Sequence, residues 1–123
     1  MGNSVEIVNT FYNVCNNKQG KGLREIITDD MMFEGPLMKI SGGDKYAEFV
    51  EPLCKFHKGI RMFKQFVDGS DVLSIYEMTL GTPSGNTLTI SFADWIRVEN
   101  NKIAEQKLYY DPREFAKAFN ISI

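Results

Sequence analysis

The sequence predicts an α+β chain in which helices come first and a run of strands follows. Three observations carry this expectation. Apolar side chains recur at helical spacing early on, at Val5, Val8, Phe11, Tyr12 and Cys15, and again at Tyr46, Phe49, Val50, Leu53, Cys54 and Phe56. From about residue 60 the pattern changes to alternation of β-branched and aromatic residues with polar ones. Turn signals at Thr82-Pro83-Ser84-Gly85-Asn86 and Glu99-Asn100-Asn101 divide the alternating stretches.

The first helix spans 4–18 and stops at Asn16-Asn17-Lys18-Gln19-Gly20. Leu23 to Ile27 forms a short second helix, and Met31 to Glu34 a short strand halted by Gly35-Pro36. A third helix starts near Asp44, an N-cap or first-turn acid. Pro52 kinks or divides that helix, and Gly59 ends it with His57 near its C-terminus. His57 reads there as an exposed cation. Strands follow at about 60–68, 71–82, 86–99 and 102–110, and Pro112 to Phe119 forms a C-terminal helix.

Turn chemistry sets which residues share a face. Pro83-Ser84-Gly85 suits a three-residue loop with Gly85 left-handed. That register pairs Leu80 with Leu88, Met78 with Ile90, Tyr76 with Phe92 and Ser74 with Asp94. A one-residue slip would turn Glu77 into the apolar face. A three-residue loop at the next turn, with Asn101 left-handed, pairs Ile96 with Ala104, Asp94 with Gln106, Phe92 with Leu108 and Ile90 with Tyr110. A two-residue Asn100-Asn101 loop competes. It would set Lys107 beside Asp94 and bury Glu105, so the longer loop is preferred.

Asp94 is the residue with most to say about function. Leu88, Ile90, Phe92, Ile96 and Val98 share its face, and a carboxylate among them is costly unless hydrogen-bonded, protonated or used. Ser74 and Gln106 flank it, within a wall of Tyr76, Phe92, Leu108, Tyr110 and Ile96, the make-up of a small-molecule pocket. Met31, Met32, Met38, Met62 and Met78 are gap-fillers or pocket wall. Trp95 faces the other side of the sheet near Ala93 and Leu73, with Arg97, Glu99, Glu105 and Lys107 pairing around it.

Composition excludes several classes. Apolar residues make up 43% and charged residues 24%, as in ordinary globular chains, and a net charge of −2 offers no electrostatic case for nucleic acid or anionic membrane. No apolar run spans a bilayer. The start MGNSVE has neither a signal-peptide core nor the myristoylation pattern, so a cytoplasmic location is expected. Cys15 and Cys54 read as reduced, buried thiols. One histidine, no CxxC and no glycine-rich phosphate loop argue against a zinc site, a catalytic triad or a nucleotide fold, and no cofactor is expected.

The stretches FYNVCNNKQGKGLREIITDDMMFEGP, ISGGDKYAEFV and FADWIRVENNKIAEQKLYYDP resemble the SnoaL-like branch of the nuclear transport factor 2-like superfamily. The resemblance spans nearly the whole of 1–123 as a single domain. It implies a cone-shaped, curved mixed sheet packed against N-terminal helices around an internal cavity, a cystatin-like roll. By the same resemblance Asp94 falls where ketosteroid isomerases keep a protonated aspartate. Their phenolic tyrosine falls at Phe11, with Tyr12 adjacent, and their general base at Gly35, with Glu34 adjacent. The acid that polyketide cyclases of this family keep on the last strand falls at Leu108. Arg97 lies three residues from Asp94 and so points away from the set that epoxide hydrolases need. The expected function is binding of a small, mainly apolar or polycyclic molecule, with cofactor-free proton transfer at Asp94. Tyr76, Phe92, Gln106, Leu108, Tyr110, Phe11, Tyr12 and Ser74 would form the ligand site. A carrier or a dimerisation domain is the alternative. The family also implies a homodimer through the outer sheet face, anchored here by Trp95.

Overall fold

The computed structural model describes residues 3–122. Its elements run α1 (Ser4–Asn17), a 3-10 turn (Leu23–Ile26), β1 (Ile27–Glu34), β2 (Lys39–Ser41), α2 (Gly43–Cys54), β3 (His57–Asp68), β4 (Asp71–Gly81), β5 (Thr87–Glu99), β6 (Lys102–Tyr109) and α3 (Arg113–Ala118). Met1 and Gly2, the first residues of the start read for a signal peptide or lipidation, lie outside the described residues. The Asn3 side chain caps α1 by accepting from the Val5 amide at 3.0 Å. Pro52 does not divide α2 into two helices. It sits in the last turn, and the helix runs on to Cys54.

All six strands form one open, curved sheet in the order β2-β1-β6-β5-β4-β3. Only β1 and β6 run parallel; the other pairs are antiparallel. Bulges between Met62 and Lys64 and between Arg97 and Val98 bend the long strands, as extra residues in one partner do. The helices cover the inner face. There Val8, Leu23, Ile27, Met31, Val72, Ile96 and Ile103 lose all contact with solvent. No helix among the described residues is long and apolar enough to cross a membrane.

The first hairpin has the expected register. Leu80 faces Leu88, Met78 Ile90, Tyr76 Phe92 and Ser74 Asp94. Gly85 has φ +91°, and the Thr82 amide donates to the Asn86 carbonyl at 2.8 Å, closing a three-residue loop. The second hairpin differs. Asn100 and Asn101 are both left-handed, at φ +53° and +63°, so the turn is the two-residue loop whose twist suits paired strands. Val98 therefore pairs with Ile103, and Ile103 is buried. A bulge at Ala104 then shifts the ladder so that Arg97 meets Glu105, Ile96 meets Gln106 and Asp94 meets Leu108. The expected pairs Ile96–Ala104, Asp94–Gln106, Phe92–Leu108 and Ile90–Tyr110 are displaced, yet Gln106 and Leu108 keep the inner face.

α2 also ends earlier than its apolar spacing suggests. The Phe56 amide turns back to the Leu53 carbonyl at 3.0 Å, so His57 opens β3 and Gly59 lies within that strand. The start of α2 is tight. A Cβ at Gly43 would collide with the Thr28 carbonyl oxygen and lie 2.9 Å from Arg24 Cζ. Arg24 there binds Asp44 at 2.7 Å and Asp29 at 2.5 Å, making Asp44 a first-turn acid rather than the cap.

Candidate functional site

Four elements converge on Asp94. Its inward place on β5 leaves it fully buried. From α1, one helical turn after Val8, the Tyr12 hydroxyl donates to Asp94 Oδ2 at 2.8 Å. From β4, two residues along the same face as Ser74, the Tyr76 hydroxyl donates to Oδ2 at 2.9 Å. From β6, Gln106 Nε2 donates to both carboxylate oxygens, at 3.0 and 3.1 Å. The bulge at Ala104 keeps Gln106 within reach across the diagonal. Tyr46 on α2 completes the network, donating to Gln106 Oε1 at 2.6 Å. That bond sets the amide's orientation, because only its NH2 end is then left to face Asp94.

These donors all suit an ionised carboxylate, whereas burial opposes one. Burial is the larger effect and raises the Asp94 pKa to about 6, against lowering by Gln106, Tyr12 and Tyr76. Burial, followed by the neighbouring Asp94 charge, pushes Tyr12 and Tyr76 well above the usual phenol range, so both remain protonated. The network can carry a protonation change to its surroundings. While Asp94 is ionised, each phenol spends its hydrogen on it and offers an oxygen lone pair elsewhere. When Asp94 is protonated, it can donate to a phenol oxygen and free that phenol's hydrogen.

Beside the network lies a pocket of about 140 Å³. Tyr12, Tyr76 and Gln106 form part of its wall, whereas Asp94 sits one layer behind them. Phe11, Phe92, Leu108 and Tyr110 line it as well. Ser74 is buried opposite Asp94 but accepts from Gln65 Nε2 at 3.1 Å and does not reach the pocket. The aromatic side chains meet in sequence: Tyr12 edge-on to Tyr76 with centroids 5.1 Å apart, Tyr76 stacked on Phe92 at 5.3 Å, and Phe92 tilted against Tyr110 at 5.0 Å. Met38 and Met78 are wall residues, Met31 is core, and Met32 and Met62 are exposed.

His57 is the clearest correction among the titratable groups. It is no exposed helix-end cation. It lines the pocket, and burial pushes its imidazole down to about 4, against a backbone contact with Cys15. The strand that begins at residue 57 carries the ring inward, where the expected helix end would have carried it out. Glu34, beside the absent general base, is half-exposed and 4.0 Å from Lys39. Gly35 lines the pocket in its place. Arg97 lies on the outer face, bound to Glu99 at 2.8 Å and Glu105 at 3.3 Å. Cys15 and Cys54 are free and buried. No cluster able to hold a metal stands among the described residues.

Sequence reasoning did not single out Asn16, Leu37, or Phe115 and Phe119 of the C-terminal helix as pocket residues, although all line it. A helical aromatic pattern at Phe115 and Phe119 was the available signal. Nothing local shows that these rings pack on Tyr110 and Phe56, at centroid distances of 6.2 and 5.3 Å.

The model of the SnoaL-like domain matches residues 8–106, which holds most of α1, all of β1 to β5, the first part of β6 and the whole Asp94 network. The chain belongs to the SnoaL-like domain family. Several solved structures share the fold of this SnoaL-like protein. An NTF2-like protein of unknown function from Cytophaga hutchinsonii has a TM-score of 0.78 at 23% identity, over 94% of this chain and 96% of its own. An NTF2-like protein of unknown function from Burkholderia pseudomallei gives 0.79 at 16% identity, over 97% and 98%. An LEH-like epoxide hydrolase from M. tuberculosis gives 0.77 at 17% identity, over 95% and 89%. At these identities the SnoaL-like protein shares their architecture, and activity has to be argued from its own site. No curated protein matches the chain.

Proposed function

We propose that this SnoaL-like protein binds a small, mainly apolar molecule in the pocket against the phenols of Tyr12 and Tyr76 and the amide of Gln106. The observation that carries the reading is an aromatic hollow whose wall includes one fully satisfied polar network. The volume of about 140 Å³ is close to that of an engineered apolar cavity, of about 150 Å³, that accepts benzene. A one-ring molecule fits without rearrangement, and a polycyclic one requires the wall to open. Toluene is therefore expected to bind and to raise the melting temperature. Leu108→Trp, which fills the pocket, lowers toluene affinity by at least tenfold while the far-ultraviolet circular dichroism stays unchanged. Equal binding by both proteins, measured by calorimetry, would place the ligand elsewhere.

Proton transfer at Asp94 is the finer reading. Its support is a carboxyl pKa of about 6 joined to the pocket wall through two phenols. In such a step a ligand C–H gives its proton to a tyrosine oxygen as that tyrosine passes its own to Asp94. Deuterium exchange into the methyl group of acetophenone, followed by mass spectrometry, should then rise with pH through about 6 and vanish in Asp94→Asn. Exchange that survives in the variant removes Asp94 from the chemistry.

A second copy of the chain is proposed to cover the outer sheet face. Phe66, Trp95 and Tyr109 are all exposed, at 54%, 44% and 54%, and Lys107 lies over the Trp95 ring at 5.4 Å. Trp95→Glu should convert a dimer to a monomer in sedimentation velocity. An unchanged sedimentation coefficient would reject this face as the contact.

A further inference from the structure

α3 has six residues, far below the roughly 12–15 at which an isolated helix becomes even marginally stable in water. The surface it lies on has to hold it. Its hydrogen bonds are all its own. The Arg113 amide donates to Asp111 Oδ1 at 3.1 Å, and the Ala116 amide donates to the Pro112 carbonyl at 2.8 Å. Asn120, left-handed at φ +56°, turns the chain so that the Ile121 amide reaches back to the Ala116 carbonyl at 2.8 Å. Among the described residues, no hydrogen bond or ion pair joins 111–122 to a residue outside that stretch. Rings dock the helix instead. Phe115 stands edge-on to Tyr110 with centroids 6.2 Å apart, Phe119 stacks on Phe115 at 4.6 Å, and Phe119 stands edge-on to Phe56 at 5.3 Å. All four rings line the pocket. The contacts that fasten α3 are therefore contacts for which an aromatic ligand competes.

The rest of the wall is tied more firmly. Tyr76 and Phe92 lie in the β4–β5 ladder, and the Tyr12 and Tyr46 hydroxyls are bound to Asp94 and Gln106. The turn between β1 and β2 is closed by the Gly35 amide on the Met38 carbonyl at 2.9 Å and by the pairing of Glu34 with Lys39. β6 leaves its ladder at Tyr109, opposite Ala93, so the chain is free to pivot at Asp111-Pro112. Resting on the reading that the pocket binds a small apolar molecule, we propose that α3 is a hinged cover whose Phe115 and Phe119 set the largest ligand the pocket accepts. Docked, the two rings limit the ligand to one ring of its own. A two-ring aromatic enters by displacing Phe119, and its second ring then takes up the contacts with Phe115 and Phe56 that Phe119 gives up. Phe115 and Phe119 are thus specificity-determining residues, and the ligand class extends to bicyclic aromatics.

Naphthalene and toluene test the size limit. Calorimetry is run with both on the native protein and on Phe119→Ala. Naphthalene affinity should rise by about tenfold or more in the variant, whose missing ring leaves the second ring's place open, while toluene affinity holds within about threefold. Native-state hydrogen exchange tests the cover without any variant. The amides of Ala116, Phe119 and Ile121 should exchange at rates that low concentrations of urea leave unchanged, as in local opening, whereas the β4–β5 ladder exchanges through global unfolding. Saturating naphthalene should speed exchange at Phe119. Toluene binding to both proteins with no gain in naphthalene affinity overturns the inference and leaves the pocket reading standing. Exchange of the α3 amides only through global unfolding also overturns it, since α3 would then be a fixed wall. Binding of neither compound to either protein overturns the pocket reading and the inference together.

Discussion

Tyr12→Phe combined with Tyr76→Phe should cost about 3–5 kcal/mol of stability at pH 8 and only about 1–2 kcal/mol at pH 4. The two hydroxyls supply both of the tyrosine hydrogen bonds to Asp94 Oδ2, and the substitutions remove little volume. At pH 8 the buried carboxylate is ionised and keeps only Gln106 as a donor, so the loss is that of two hydrogen bonds to a charged group. The sign of the pH dependence follows from the raised pKa. Asp94 titrates near 6 when folded, against an ordinary value of 3.8. Stability from this group is therefore full below about pH 4 and falls as pH rises through 6, by about 3 kcal/mol in the native protein. Removing two donors that favour the ionised form raises the folded pKa further, which deepens the fall. Below pH 4 the carboxyl is neutral in both proteins, and the difference shrinks to that of neutral hydrogen bonds. Urea unfolding at the two pH values measures this directly. Equal losses at both would show that the tyrosines act through packing and not through the charge on Asp94.

Gly43→Ala is the second large effect, expected at about 2–4 kcal/mol with loss of toluene binding. The added methyl would run into the Thr28 carbonyl, which is backbone of β1 and cannot swing aside, and would press on the Arg24 guanidinium. Either β1 or α2 has to move. α2 carries Tyr46, Phe49, Val50 and Leu53 of the pocket wall, and the Tyr46 hydroxyl sets the Gln106 amide that faces Asp94. A displacement at the start of the helix thus reaches the network. Gly59→Ala is the control, because nothing lies within 4 Å of its would-be Cβ. It should change the thermal midpoint little, and similar melting of the two variants would count against a collision at Gly43.

The long strands and the face that bears Asp94 were legible because period two and a Pro–Gly turn are local signals. Pro83 fixes its own φ and Gly85 takes the left-handed region without strain, so the first register followed from them. The second turn was ambiguous, since Asn tolerates the left-handed region at either position and nothing in Asn100-Asn101 announces a bulge three residues later. β2 was illegible because three residues, Lys39–Ser41, are too few to show a period. The end of α2 was misplaced because Cys54 and Phe56 continue a helical spacing that the chain abandons at Lys55. The bonds of Asp94 to Tyr12 and of Gln106 to Tyr46 join residues 82 and 60 positions apart. Their existence depends on where two helices dock, which no local pattern encodes. The expected Asp94–Gln106 contact formed through a register different from the one that suggested it.

Ala104 gives β6 something like a reading frame. The two-residue turn alone would leave Lys107 opposite Asp94, and the one extra residue of the bulge returns Gln106 and Leu108 to the inner side. Deleting Ala104 would leave a regular ladder with the same pairs, whereas drawing Ala104 into the ladder opposite Arg97 would exchange every side chain beyond it between the two faces. A homologous hairpin with one more residue in its turn and no bulge would present the same residues inward. When such chains are aligned, a gap placed at the turn therefore needs a compensating gap near position 104. Without it, the residue set against Gln106 comes from the wrong side of the sheet.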